Sequence, residues 1–407
     1  MTPPLRKRFP LSRHSTCAAT TAEFWLTTTW ERVPMSSDFS VEAVASARRT
    51  VSDKFRTVYA NDVDTLEKTL ARSLSGTSDV VTEYEQDLAA WFGARHAVAL
   101  SSGGAALSVA LYAAGVRPGD EVLLTPSCPL CTVYPVLAAG ATPVFVDTRE
   151  HGFGADPTSV RSRKTPRTRA MIDIPMWGYP TEVDALQALT RELGIKLILD
   201  LAHSHGTTLH GRPLSQFGDL SCFSTHERKP LATGEGGFLL TDDDELAQRS
   251  RDYSRFGNLN GTDFGLNYKL AALPAALGKS RLGSLAEQID QRRRNASYFL
   301  GRLDHAKVRE KKIIDGGSPN YYFFNLELRF ADNRRFIDYL DDHGIPSDIK
   351  RYGCKALYEF PALERYRAAC PNAQALLAGM TTIPVHPGVS TDELDYMAEC
   401  INRYEAA

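Results

Sequence analysis

The 407-residue chain carries 47 Lys and Arg against 49 Asp and Glu, a formal net charge of −2, with 43% hydrophobic and 24% charged residues. This is the composition of a globular protein long enough for two domains. It excludes the basic footprint of a nucleic-acid or anionic-membrane binder, and no apolar run reaches the ~18 residues of a transmembrane helix.

Residues 1–40 differ in character from the rest of the chain. The opening "MTPPLRKRFPLSRHSTCAATTA" has four basic residues and no acidic one. Such composition is shared with organelle transit peptides, and the apolar block of a secretory signal is missing. The expectation is a disordered or non-native extension, with Met35 the natural start. From about residue 80 the pattern alternates. "TEYEQDLAAWFG" (82–93) has helical spacing, "HAVALSS" (96–102) is strand-like, and "AALSVALYAAG" (105–115) is a helix ended by Gly115. Strands follow at 120–126, 142–147, 169–176, 196–200, 220–225 and 236–242, with one helix closing at 140 and another over 182–194. "SLAEQIDQRRRNASYFLGRL" (284–303) is a long amphipathic helix whose run "DQRRRN" reads as a solvated face. A strand at 321–330 and helices at 333–344 and 391–404 complete the series. Short apolar strands separated by helices predict an α/β fold with a mainly parallel sheet flanked by helices. Residues 41–283 would form a large domain and 284–407 a smaller C-terminal α/β domain.

Seven cysteines, an odd number without a repeating framework, point to a reducing compartment, the cytoplasm. "CPLC" (128–131) has redox spacing. Nothing basic flanks it to lower a thiol pKa, so both read as buried or half-buried thiols.

In parallel sheets ligands bind beyond the carboxyl ends of the strands, where Ser102, Asp200 and Ser224 stand. "SSGGAAL" (101–107) joins a strand to a helix start. The free amides of Gly104 and Ala105 and the helix dipole would suit a phosphate, although a tight strand–helix turn needs glycine anyway. "LILDLAHSHG" (197–206) puts Asp200 at a strand end, followed by His203 and His205. Three readings stay open there: a metal site of the form Asp-x-x-His-x-His, a satisfied histidine pair, or a carboxylate that keeps a heterocyclic nitrogen protonated with His203 beside the same ring. "CFSTHERKPLATGEGG" (222–237) holds Lys229 between a serine-bearing apolar segment and a glycine-rich turn. A lysine facing a dry electropositive site has a lowered pKa and attacks carbonyl carbon. Phosphate cradle, acid and lysine together describe pyridoxal 5′-phosphate binding, with Lys229 in a Schiff base and Asp200 on the ring nitrogen. A metal hydrolase built on Asp200, His203 and His205 would leave Lys229 and "SSGGAAL" without a purpose.

The order of "SSGGAAL", "GDEVLLTP", "GATPVFVD", "DLAHSHG", "CFSTHERKPLATGEGG" and "GLNYKL" resembles the DegT/DnrJ/EryC1/StrS family, and "YEFPALERY" and "TTIPVHPGVSTDEL" extend the likeness to the C-terminus. The resemblance implies the fold-type-I architecture of pyridoxal-phosphate enzymes and an aminotransferase acting on keto sugars, cyclitols or related keto intermediates of a biosynthetic pathway. It implies that Lys229 is the Schiff-base lysine, Asp200 the pyridinium partner and His203 the neighbour of the cofactor's phenolic oxygen. Gly104, Ala105 and Ser224 match phosphate ligands. Asn267, in "GLNYKL", matches an asparagine that reaches the phosphate of the neighbouring subunit, which implies a homodimer with shared active sites. The amino donor would be glutamate or glutamine. The chain departs from the family at Gly104, where Thr or Ser is common, and at "CPLC", where an aromatic residue commonly covers the ring and Pro129 or Leu130 would do so here. "STHERK" replaces a more usual aromatic lead-in to the lysine. These departures leave a non-transaminating cyclase, decarboxylase or C–C bond former as the alternative, and a cofactor-binding homologue without turnover as a further one.

Overall fold

A computed structural model describes residues 49–53, 55 and 59–405. The 1–40 extension and Met35 lie outside the described residues. In chain order the strands are β1 His96–Leu100, β2 Glu121–Leu124, β3 Thr142–Phe145, β4 Thr168–Asp173, β5 Lys196–Asp200, β6 Thr208–Leu209, β7 Arg212–Pro213, β8 Leu220–Ser224, β9 Gly237–Thr241, β10 Val308–Glu310, β11 Gly317–Ser318, β12 Phe324–Leu328 and β13 Met380–Ile383. The first four helices are α1 Asp62–Leu70, α2 Asp79–Phe92, α3 Gly103–Ala113 and α4 Leu130–Ala138.

Seven strands form one sheet in the order β1-β9-β8-β5-β4-β2-β3. The pairs β3–β2, β2–β4, β4–β5 and β5–β8 are parallel, and β8–β9 and β9–β1 are antiparallel. Both faces are covered, so the central strands are apolar throughout rather than alternating. In β5, Leu197 and Leu199 enter one core cluster with Phe92, Phe223 and Phe238, while Ile198 enters the other with Ala110, Leu124 and Ile172. The α/β fold with a mainly parallel sheet is therefore the architecture observed. A second sheet, β10-β12-β13, is built from residues 308–383.

Two expectations need correction. The strand predicted over 169–176 ends at Asp173, because Pro175 removes a ladder donor and the chain turns at Trp177, where φ is +52°. The basic run 290–295 is not all solvated. Arg292 is buried, donating to the carbonyls of Tyr321 (3.4 Å) and Tyr322 (3.1 Å), and burial lowers its pKa to about 10. The helix Leu285–Leu300 buries Leu285, Ile289, Arg292, Ala296 and Phe299, a single stripe at three- and four-residue spacing. Arg292 sits on that stripe, so helical geometry carries it inward with its apolar neighbours.

Asp173, at the end of β4, is fully buried and accepts a 2.6 Å hydrogen bond from Thr181. Burial pushes its carboxyl up to about 7. The folded state thus holds a proton that the unfolded chain releases near pH 4, and stability falls as pH rises from about 4 to about 7. Asp173→Asn is expected to raise the melting temperature at pH 8, where up to ~4 kcal/mol is at stake, and to change it little at pH 4.5. Melting curves at the two pH values check this, and an equal shift at both would refute it.

Candidate active site

The site lies beyond the carboxyl ends of β5 and β8. A cavity of about 360 Å³ opens there, walled by Pro129, Leu130 and Cys131 at the start of α4, by Trp177 and His203, and by Tyr322 from the C-terminal segment. Lys229 lines it too. The lysine follows a tight turn, its N–H donating to the His226 carbonyl at 2.8 Å, and its Nζ stands 4.7 Å from the centre of the Tyr322 ring.

Asp200 closes β5 and is 5% exposed. Its Oδ2 accepts from Thr132 Oγ1 at 2.7 Å and its Oδ1 from the Ala202 N–H at 3.1 Å. Burial raises its carboxyl pKa against the pull of those donors and of Lys229. Thr132 was not anticipated from the sequence. It lies 68 residues away, on α4, and nothing in local spacing announces the contact.

His203 and His205 part company. The Nδ1 of His203 accepts the Trp177 N–H at 3.2 Å, and the imidazole stacks on Tyr322 with centroids 4.7 Å apart. Burial, aided by Lys229, keeps it neutral, with a pKa well below the usual histidine value. The proton therefore sits on Nε2. His205 points into the aromatic cluster of Phe92, Phe223 and Phe238, where burial holds its pKa at about 3. Among the described residues no three His, Cys, Asp or Glu side chains are gathered to hold a metal ion, so the Asp-x-x-His-x-His reading finds no converging ligand set.

The turn before α3 abuts the end of β8. A Cβ on Gly103 would come 2.8 Å from Ser224 Cβ, so only glycine fits there, whereas a Cβ on Gly104 would meet only Ser102 Oγ, at an ordinary contact of 3.8 Å. Ser102 caps α3 by accepting the Ala105 N–H at 3.0 Å. The Ala105 amide is thus already engaged, contrary to the expectation that it stands free. The Gly103 and Gly104 amides keep no acceptor within the helix. Ser224 Oγ accepts the His226 N–H at 3.3 Å. Asn267 is exposed, bridges its backbone to Arg255 and does not line the cavity of its own chain.

The thiols of Cys128 and Cys131 are both free; Cys128 is buried as expected, whereas Cys131, on the cavity wall, is exposed, and desolvation together with the nearby Asp200 pushes both pKa values up. A redox pair needs the opposite shift.

Sequence reasoning also missed a charged cluster on the cavity wall. Arg228 Nη2 donates to Asp53 at 3.0 Å and reaches Asp348 at 3.5 Å, and its Nη1 donates to the Tyr352 hydroxyl. Asp348 also accepts from the Trp177 indole N–H at 3.3 Å. The partners lie 175 and 120 residues from Arg228, beyond the reach of any local pattern.

These groups fit pyridoxal 5′-phosphate. A buried carboxylate without a cation is costly, and Asp200 has two hydrogen-bond donors, feels the charge of Lys229 and forms no salt bridge among the described residues. A protonated ring nitrogen would complete it. The two free amides at a glycine-built helix start suit a phosphate, and the Lys229 amine stands on the cavity wall.

Comparison with known proteins agrees. Residues 58–402 match the model of the DegT/DnrJ/EryC1/StrS aminotransferase family. The chain is 30% identical over 372 residues to the spore coat polysaccharide biosynthesis protein SpsC of Bacillus subtilis (strain 168), covering 84% of this chain and 93% of that one. It is 29% identical to UDP-N-acetyl-3-dehydro-alpha-D-glucosamine 3-aminotransferase of Acidithiobacillus ferrooxidans, over 78% of this chain and 87% of the relative. Its structure is similar to that of DesI, determined in the presence of its TDP-sugar product, with a TM-score of 0.81, 28% identity, and 87% of this chain and 92% of DesI covered. The chain therefore belongs to the DegT/DnrJ/EryC1/StrS family and is a pyridoxal 5′-phosphate-dependent aminotransferase.

Proposed function

We propose that the protein moves an amino group from glutamate or glutamine to a keto sugar, a cyclitol or a related keto intermediate of a biosynthetic pathway. The observation that carries this is a cavity-lining Lys229 whose charge is felt by a buried Asp200 that has hydrogen-bond donors but no salt-bridge partner among the described residues. Names of relatives such as the UDP-sugar and GDP-perosamine enzymes support a sugar acceptor.

When bound, pyridoxal phosphate supplies an electron sink conjugated with the amine-bearing carbon. Lys229 would hold the cofactor's aldehyde carbon through its ε-nitrogen. Its free ε-amine would serve as the general base and acid that moves the proton. Asp200, oriented by Thr132 and the Ala202 amide, would hold the proton on the ring nitrogen. His203, with Nδ1 occupied by the Trp177 N–H, would offer an Nε2–H to the phenolic oxygen. The Gly103 and Gly104 amides and Ser224 would hold the phosphate, with Ala105 contributing through the helix start. Pro129 or Leu130 would cover one ring face, and Tyr322, which lines the same cavity, would help exclude water. Asn267 would serve the neighbouring subunit of a homodimer. In this proposal residues 41–283 carry the cofactor, 284–407 form the smaller domain, and the enzyme works in the cytoplasm. Among the described residues no helix is long and apolar enough to cross a membrane.

The test is an absorbance scan of the cofactor-loaded protein with amines added one by one. Glutamate or glutamine should bleach the lysine-bound form and a keto sugar or cyclitol should restore it. No bleaching by either donor would reject the reading.

A further inference from the structure

The guanidinium of Arg228 is incompletely used. Arginine carries five N–H donors. Here Nη2 meets Asp53 and Asp348, Nη1 meets the Tyr352 hydroxyl, and Nε is buried without an acceptor. The contact to Asp348 is 3.5 Å, well beyond the ~2.7–2.9 Å of a charge-assisted hydrogen bond. A purely structural arginine–carboxylate pair would close into the bidentate fork. This one is held at the cavity wall, 14% exposed, with Asp53 shared with Arg351 and with one Nη1 hydrogen beyond the bond to Tyr352.

The wall around it is electropositive. Arg228, Lys229 and Lys355 line the cavity with one carboxylate, Asp348. Lys355 rests on the Phe360 ring, 4.7 Å from its centre. Most other lining groups are apolar, so an anion entering here is drawn from water into a setting where each charged hydrogen bond counts more.

We propose that Arg228 is the specificity residue that binds a carboxylate of the acidic amino donor, taking it in place of the loose contact to Asp348 while Asp53 keeps the side chain at the wall. Placement supports this assignment. Arg228 and Lys229 line the same cavity, so a donor anchored on the guanidinium lies in the space that the lysine's amine faces. Planar, bidentate recognition of a carboxylate is the task for which arginine is suited and lysine is not. The inference rests on the aminotransferase reading above and adds to it the group that selects the donor.

The same chemistry would serve a carboxylate on the keto acceptor, so the experiment separates the two half-reactions. Cofactor-loaded wild type, Arg228→Gln and Arg228→Lys are mixed with L-glutamate, L-glutamine or the α-amide of L-glutamate, and the bleaching rate is followed against concentration. Arg228→Lys keeps a positive charge beside Asp53 and Asp348, and so guards against a folding defect in Arg228→Gln. Both variants should raise the glutamate KM by about tenfold to a hundredfold, the effect of one charged hydrogen bond, with the maximal rate changed by less than about threefold. The penalty should vanish for whichever amide lacks the carboxylate that Arg228 binds. A structural defect would instead lower the maximal rate for all three donors alike, and that outcome overturns the proposal. So does a glutamate KM left at the wild-type value, or a penalty confined to the return half-reaction with the keto acceptor, which would assign Arg228 to the acceptor. If the wild type itself bleaches with none of the three, the donor reading falls first and this inference with it.

Discussion

Lys229→Ala is expected to abolish turnover, lowering the rate of amino transfer by about 10⁴-fold or more, and to remove the visible absorbance of a lysine-bound cofactor while leaving the fold intact. Two losses combine. The variant has no ε-nitrogen with which to hold the cofactor covalently, and it has no base to move the proton, a role worth about 10²–10⁴-fold by itself. Stability should change little, because Lys229 is half-buried on a cavity wall and packs into neither core cluster. Stopped-flow half-reactions with L-glutamate, absorbance spectra and a melting curve measure the three quantities. Turnover within tenfold of wild type would reject Lys229 as the residue that holds the cofactor.

Asp200→Asn should come next in size. The substitution keeps the shape and an acceptor for Thr132 but removes the negative charge that holds a proton on the ring nitrogen. Breaking one side of a buried charge pair costs roughly 3–5 kcal/mol, so the half-reaction should slow by about 10²–10³-fold and cofactor should bind more weakly. Burial already raises the pKa of this carboxyl, the condition in which a cationic partner is most strongly favoured. Cofactor titration by fluorescence and single-turnover rates with L-glutamate provide the check. An Asn variant as fast as wild type would show that the ring nitrogen is not held by this residue.

Much of the fold is legible in the sequence. The all-apolar strands over 196–200 and 220–225 signal a sheet covered on both faces, and the chain alternates strand and helix because only a crossover of that length brings parallel strands together. Lys229, Asp200 and the glycines at 103 and 104 are legible for the same reason: each sits where a strand stops and a turn begins, a place that short-range spacing marks. Arg292 was also within reach, since its three- and four-residue spacing to Ile289 and Ala296 puts it on the apolar stripe.

What this sequence determines by itself is the local set: the strands, the helix starts, the lysine and the acid that a shared cofactor would join. Local propensity and hydrophobic period act over a few residues, and those features need no more. Tertiary structure alone decided that Thr132 steadies Asp200, that Trp177 occupies Nδ1 of His203, that His205 turns away into aromatic packing, and that Arg228 meets Asp53 and Asp348. Each of these joins segments tens to hundreds of residues apart, through contacts that exist only once the sheet has fixed where its strand ends point.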